Sequence, residues 1–197
     1  MNALFALDDR GTTSNNSDAV LLADRLLSGV GTRLAHSARV AAQVERVRYL
    51  LDGEWRSVIV DAAWLHDIGY SPQVKRTGFH ALDAARWLRA GGWPTATCRL
   101  VAWHTESEGE GALRGLGAEL VAAFEPPPTL AAAALTWADL TSSPAGELCT
   151  PAARIADILR RYPPDSIVHR AIADATPRLC EVADEIESRL ALNGEIT

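Results

Sequence analysis

The sequence predicts an all-α fold, and three observations carry that expectation. Apolar residues recur at helical spacing, most clearly at Val40, Val44, Val47 and Leu51, an i, i+4, i+7, i+11 stripe. Glycine and proline divide the chain into segments of helical length. No segment reads as a convincing strand. Val58-Ile59-Val60 has strand propensity, but it lies in a breaker-free run of ~12 residues, a length that favours a helix. The expected architecture is a bundle of eight or nine helices.

Each element follows from local signals. Residues 1–17 are polar and irregular in their second half and read as an arm. Asp18 is placed to cap a helix over 19–28, which Gly29 and Gly31 end. The stripe defines a helix over 32–51, closed by the turn Asp52-Gly53. Residues 55–67 are apolar nearly all round, which predicts a central, buried helix. Gly69, Pro72 and Gly78 mark a loop over 69–78, and a helix follows over 79–90, terminated by Gly91-Gly92. Pro94 suits the first turn of a helix over 94–104. Thr105 to Gly111 is polar and acidic and reads as a mobile rim, before a helix over 113–124. Pro126-Pro127-Pro128 is a rigid break, after which Thr129 caps a helix to Leu140. Thr150-Pro151 starts a helix ending at Tyr162-Pro163-Pro164. Asp165 caps a short helix to about 173, and Thr176-Pro177 starts the last one, with its stripe of Leu179, Val182, Ile186 and Leu190.

Composition bounds the function. The chain has 197 residues, 48% of them apolar, enough for one sizeable core. Cys98, Cys149 and Cys180 are an odd, scattered set without C-x-x-C spacing, which argues against a disulfide framework and a zinc ribbon. The stretch Met1 to Asp9 lacks the basic flank of a signal peptide, and no apolar run approaches the ~20 residues of a membrane span. A net charge of −6 disfavours nonspecific nucleic-acid binding. A reduced, cytoplasmic setting is the expectation. Arginine outnumbers lysine eighteen to one, and Lys75 is the only lysine.

Six side chains stand out as candidate metal ligands: His36, His66, Asp67, His80, His104 and Asp139. Each falls in or at the end of a predicted helix, on or near its apolar face. His36 lies four residues before Val40 and continues that stripe at its buried end. His80 shares a face with Ala84, Trp87 and Leu88, and His104 lies on the face of Leu100 and Val101. Taken singly, His36 reads as a satisfied core histidine before it reads as a ligand. Adjacent helical residues point about 100° apart, so His66 and Asp67 cannot grip one ion as a tight pair. They can serve a cluster, with the carboxylate between two cations and the imidazole on one. A helical bundle can gather such groups from separate helices into one inward site. Imidazole and carboxylate without thiolate suit Fe, Mn, Zn, Co or Ni. His169 fits no such pattern and reads as a surface or structural residue.

The order His36, His66-Asp67, His80, His104, Asp139 resembles the H…HD…H…H…D signature of the HD-domain metal-dependent phosphohydrolases. The segments Trp64-Leu65-His66-Asp67-Ile68-Gly69-Tyr70, Gly78-Phe79-His80, Ala102-Trp103-His104-Thr105 and Trp137-Ala138-Asp139-Leu140-Thr141 carry the resemblance, which covers about residues 30–145. It is nearest to small stand-alone bacterial members, including the type that hydrolyses dinucleoside polyphosphates. The chain lacks the Gly-Tyr-Pro extension of the cyclic-di-GMP phosphodiesterases: Gly69-Tyr70 is followed by Ser71 and lies directly after His-Asp. Some members have two histidines where this chain has Trp103-His104.

The expected division of the chain is an arm over 1–17, an HD-type metal-binding domain over 18–145, and C-terminal helices over 146–197 packed on the same domain. The resemblance implies one divalent transition metal on His36, His66, Asp67 and Asp139, and a second on His80, His104 and a bridging, catalytic Asp67. The implied activity is hydrolysis of a phosphate ester or anhydride, with a small phosphorylated compound such as a nucleotide as substrate and metal-bound hydroxide as nucleophile. Two other readings use the same ligands: a non-catalytic, nucleotide-sensing regulatory module, and a two-iron oxygenase. Lys75 and Arg76, in the loop between the half-sites, and Arg39, one turn from His36, are the candidate phosphate-binding groups; a solvated surface pair is the competing reading of the first two. Thr105, Glu106 and Ser142 follow ligands closely, either as supporting groups or a general acid or as helix-end caps. Asp83 either orients His80 or pairs with Arg86. Trp64, Trp87, Trp103 and Trp137 read as core packing before base stacking.

Overall fold

The computed structural model describes residues 16–194. Among them are ten α-helices and no strand, so the fold is all-α. The expected N-terminal arm lies outside the described residues except for its last two, which begin α1 (Asn16–Leu27). The remaining helices are α2 (Arg33–Val47), α3 (Gly53–Leu65), α4 (His80–Ala90), α5 (Thr95–Ala102), α6 (Ser107–Leu113), α7 (Gly117–Ala123), α8 (Thr129–Leu140), α9 (Pro151–Arg161) and α10 (Ile167–Leu192).

Two helices form the centre. In α3, every residue from Val58 to Leu65 except Trp64 is buried, and the helix packs on α1, α2, α5 and α8. In α8, the run from Ala133 to Leu140 is wholly buried. Its alanines let α2, α3 and α10 approach closely, because a small side chain shortens the distance between helix axes. A satellite cluster of Leu140, Ile155, Ile158, Ile172, Ala175 and Leu179 joins the end of α8 to α9 and α10. Trp137 is core, while Trp64, Trp87 and Trp103 are partly buried against it.

Three segments differ from the expectation. The predicted rim at 105–111 contains α6, with Ser107, Glu110 and Gly111 buried. Two of its three acidic residues are held by arginines, Glu106 by Arg178 of α10 and Glu110 by Arg114. The pairing with α10 is long-range and leaves no local signal. The helix expected over 113–124 is shortened to α7, because Gly115 adopts a left-handed backbone (φ +73°) between α6, which ends at Leu113, and α7. Conversely, the last two predicted helices are one continuous α10, with Pro177 inside it. Proline removes one ladder hydrogen bond. The buried face of Ile172, Ala175, Leu179, Ala183, Ile186 and Leu190 carries the helix through. Thr176 Oγ1 donates to the carbonyl of Ile172 one turn earlier.

Candidate metal centre

The six candidate ligands meet at one end of the bundle, and helix ends put them there. His66 caps the C-terminus of α3, His104 follows the C-terminus of α5, and Asp139 is the penultimate residue of α8. His80 opens α4, and His36 lies in the first turn of α2. Three helix C-termini therefore converge on the cluster. A helix C-terminus carries partial negative charge, which favours a cation.

Two groups within the cluster place ligand atoms within 4.8 Å of one another: His36, His66 and Asp67, and Asp67, His80 and His104. Asp67 belongs to both. Its Oδ1 lies 3.7 Å from His66 Nε2 and 3.8 Å from His80 Nε2. His80 Nε2 and His104 Nε2 are 3.0 Å apart, and Asp139 Oδ1 is 3.0 Å from His36 Nε2.

The tautomers are fixed from behind. His66 Nδ1 lies 2.7 Å from the carbonyl of Ala63, and His104 Nδ1 lies 2.6 Å from that of Val101. His36 Nδ1 lies 3.1 Å from the carbonyl of Ser143. A carbonyl only accepts, so each Nδ1 donates its hydrogen. In the neutral ring the Nε2 lone pair is then aimed into the cluster, the arrangement that prepares a histidine for a metal. His66 Nε2 is buried and has no hydrogen-bond partner, and a buried polar atom left so is costly. A cation among these atoms would satisfy it, so the residues present fit one or two divalent metals.

The electrostatics agree. Burial lowers His66 to about 4, keeping the ring neutral. Burial and the neighbouring His104 hold His80 well below the usual histidine range. Burial alone would raise Asp67, but His66, Arg33 and the other histidines outweigh it and keep the carboxyl far below the usual range. Asp139 is likewise held low, with burial overcome by His36 and Arg154. His36 is raised, because the Asp139 carboxylate beside it outweighs burial. A proton on His36 and a metal are alternative ways to relieve the same close contact.

Further residues support the ligands. Arg33 Nη1 donates to Asp67 Oδ2 at 2.6 Å, and its guanidinium lies 3.3 Å over the Tyr70 ring, which stacks on His80 at 4.3 Å. Thr105 is the only non-glycine residue with positive φ (+49°) among the described residues. A β-branched residue there is strained. The strain coincides with a 2.5 Å hydrogen bond from Thr105 Oγ1 to Asp139 Oδ2, which leaves Oδ1 toward His36. Thr105→Val removes the donor and keeps the shape. It is expected to weaken Mn²⁺ binding about 10- to 100-fold, whereas Thr105→Ser retains it. Equal affinities in calorimetric titration would rule out this support.

The ligands border a cavity of about 300 Å³, whose lining includes Arg33, Tyr70, Glu106, Arg154, Arg161 and Tyr162. Lys75, Arg76 and Arg39 are not among its lining residues. Arg39 Nε donates to the carbonyl of Gly146. Lys75 and Arg76 are exposed, and the loop that carries them is organised by Asp83. That carboxylate accepts from the backbone N–H groups of Arg76, Thr77 and Gly78 and from Thr77 Oγ1. Asp83 therefore shapes the loop, and Arg86 pairs with Glu119 instead. Ser142 donates to the carbonyl of Ala138 within its own turn, and no tryptophan lines the cavity. His169 Nδ1 contacts the carbonyls of Leu159 and Tyr162, a structural tie between α9 and α10.

Sequence reasoning missed Arg33 and Arg154. Arg33 had a signal, since it precedes His36 by three residues and shares its face. Arg154 had none, because its place depends on how α9 docks. The three cysteines are free, and burial pushes the Cys98 thiol up to about 11. No helix among the described residues is long and apolar enough to cross a membrane. Comparison with family models, with curated proteins and with solved structures finds no match for this chain.

Proposed function

We propose that this chain is a metal-dependent phosphohydrolase of the HD-domain type, cleaving a phosphate ester or anhydride of a small molecule such as a nucleotide. The observation that carries the reading is Asp67, one carboxylate shared by two groups of ligand atoms at the edge of an arginine-lined cavity. His36, His66, Asp67 and Asp139 would hold one divalent metal, and His80, His104 and Asp67 a second. Such ions supply Lewis-acid polarisation of a phosphoryl oxygen and a water of lowered pKa. The chain's own groups do the rest. Arg33 and Tyr70 fix Asp67 and His80, Thr105 fixes Asp139, and the backbone carbonyls behind the imidazoles hold their tautomers. The arginines along the cavity favour a phosphorylated substrate over a neutral one.

The test is elemental analysis of protein purified without added metal, followed by phosphatase and phosphodiesterase substrates with and without chelator. About two metals per chain and chelator-sensitive phosphate release are expected. His80→Ala and His104→Ala should each bring the metal content to about one and reduce turnover steeply. Two metals retained in both variants would remove the two-metal site, and a metal-loaded protein inert on every phosphorylated substrate would remove the activity.

A further inference from the structure

Tyr70 presents one group to the cavity that its own packing does not use. The Arg33 guanidinium lies 3.3 Å over its ring and the His80 imidazole stacks on it at 4.3 Å. Two groups that close would collide on one face, so they cover both. The backbone is held as well. The 3-10 turn Ile68–Tyr70 packs on α4, and the Tyr70 N–H donates to the carbonyl of Asp67 at 3.0 Å. With both faces covered, Tyr70 lines the cavity with its ring edge and hydroxyl, beside Asp67 and His80. Among the described residues this hydroxyl has no hydrogen-bond partner, yet it is not one of the atoms sealed from solvent. A phenol is protonated at neutral pH and can donate. Burial and the Asp67 carboxylate beside it only push it further up. Of the two lining tyrosines, Tyr70 is the one stacked on a candidate ligand; Tyr162 packs on the satellite cluster.

We infer that the Tyr70 hydroxyl is a catalytic hydrogen-bond donor to a phosphoryl oxygen of the substrate. The inference rests on the phosphohydrolase reading and adds a residue to its machinery. No proton is transferred: the O–H bond stays intact, and its dipole meets the negative charge on the phosphoryl oxygens in the transition state. A donor fixed in advance is worth most, because nothing has to reorganise as that charge develops. Tyr70 meets this condition. Its ring is clamped between Arg33 and His80, and Arg33 is itself fixed by Asp67 at 2.6 Å. Ring and hydroxyl thereby have separate duties, the ring toward His80 and the hydroxyl toward the substrate.

The experiment compares wild type with Tyr70→Phe, both loaded with Mn²⁺. It measures metal per chain, Tm, hydrolysis of p-nitrophenyl phosphate and bis(p-nitrophenyl) phosphate, and affinity for orthovanadate by calorimetric titration. Vanadate adopts the five-coordinate geometry of the transition state. Tyr70→Phe keeps the stack on His80 and loses only the hydroxyl. It is expected to match wild type in metal content and Tm, to lose about 100-fold in kcat with KM little changed, and to bind vanadate about 30-fold or more less tightly. Wild-type kcat and vanadate affinity in Tyr70→Phe would overturn the assignment and leave the phosphohydrolase reading standing. Loss of metal in Tyr70→Phe would also overturn it, because the hydroxyl would then serve the cluster and not the substrate. A metal-loaded wild type that binds no vanadate and cleaves neither ester would remove the phosphohydrolase reading and the donor together.

Discussion

Asp67→Ala is expected to empty both metal positions at once. Asp67 is the one residue common to the two ligand groups, and its Oδ1 faces histidines on both sides. A ligand that binds only the native state stabilises by mass action, about 2.7 kcal/mol at a free concentration one hundred times Kd. The variant should therefore lose the difference in Tm that separates metal-loaded from chelated wild type, along with turnover. Arg33 loses its partner but is part-exposed and can turn to solvent, so the metal-free variant should still fold. Metal per chain, measured beside the melt, decides the matter. Full content in Asp67→Ala would mean that the carboxylate bridges nothing.

Gly69→Ala should be the most damaging change outside the ligands. A Cβ at this position would stand 2.0 Å from the carbonyl oxygen of His80, with no flexible side chain between them. The need for glycine is spatial: the 3-10 turn Ile68–Tyr70 rests its backbone directly on the start of α4. Alanine must push the two apart and carry His80 away from Asp67. Overpacking of this kind costs about 1–3 kcal/mol, roughly 2–12 °C in Tm for a chain of this size. The position formed by His80 and His104 should lose its metal first. Gly29→Ala, where a Cβ meets nothing within 4 Å, is the control and should be neutral. A Gly69→Ala protein that melts like wild type and holds two metals would refute the argument.

The fold class was legible because its signals are local. The stripe from Val40 to Leu51, the all-apolar run at 58–65 and the punctuation by glycine and proline need no tertiary information. The gathering of His36, His66, Asp67, His80, His104 and Asp139 was legible for a related reason, since each sits where an apolar helix begins or ends. What stayed hidden depends on long-range docking. Glu106 is ordered by Arg178, and Arg154 reaches Asp139 only because α9 folds back over the end of α8. Proximity in sequence drew attention to Lys75, Arg76 and Arg39, but Asp83 ties down the loop of the first two and Gly146 takes the third. The break at Gly115 and the continuity through Pro177 show the same balance from both sides. A left-handed glycine shortened a helix whose pattern continued, and a buried face sustained a helix whose pattern broke.

The spacing of the ligands also sets an order of assembly. His80 and His104 are 24 residues apart and lie on consecutive helices, whereas His36 is oriented by Ser143, 107 residues away. Chain entropy makes the longer closure about 1 kcal/mol more expensive. One half of the cluster is thus a short-range product of a helical hairpin, available to a chain that has collapsed only in its middle. The other half exists only once α2 and α8 have met, when both central helices are in place. A metal bound there, as proposed, would report on the whole bundle, because a chain that had misplaced either end would have nowhere to put it.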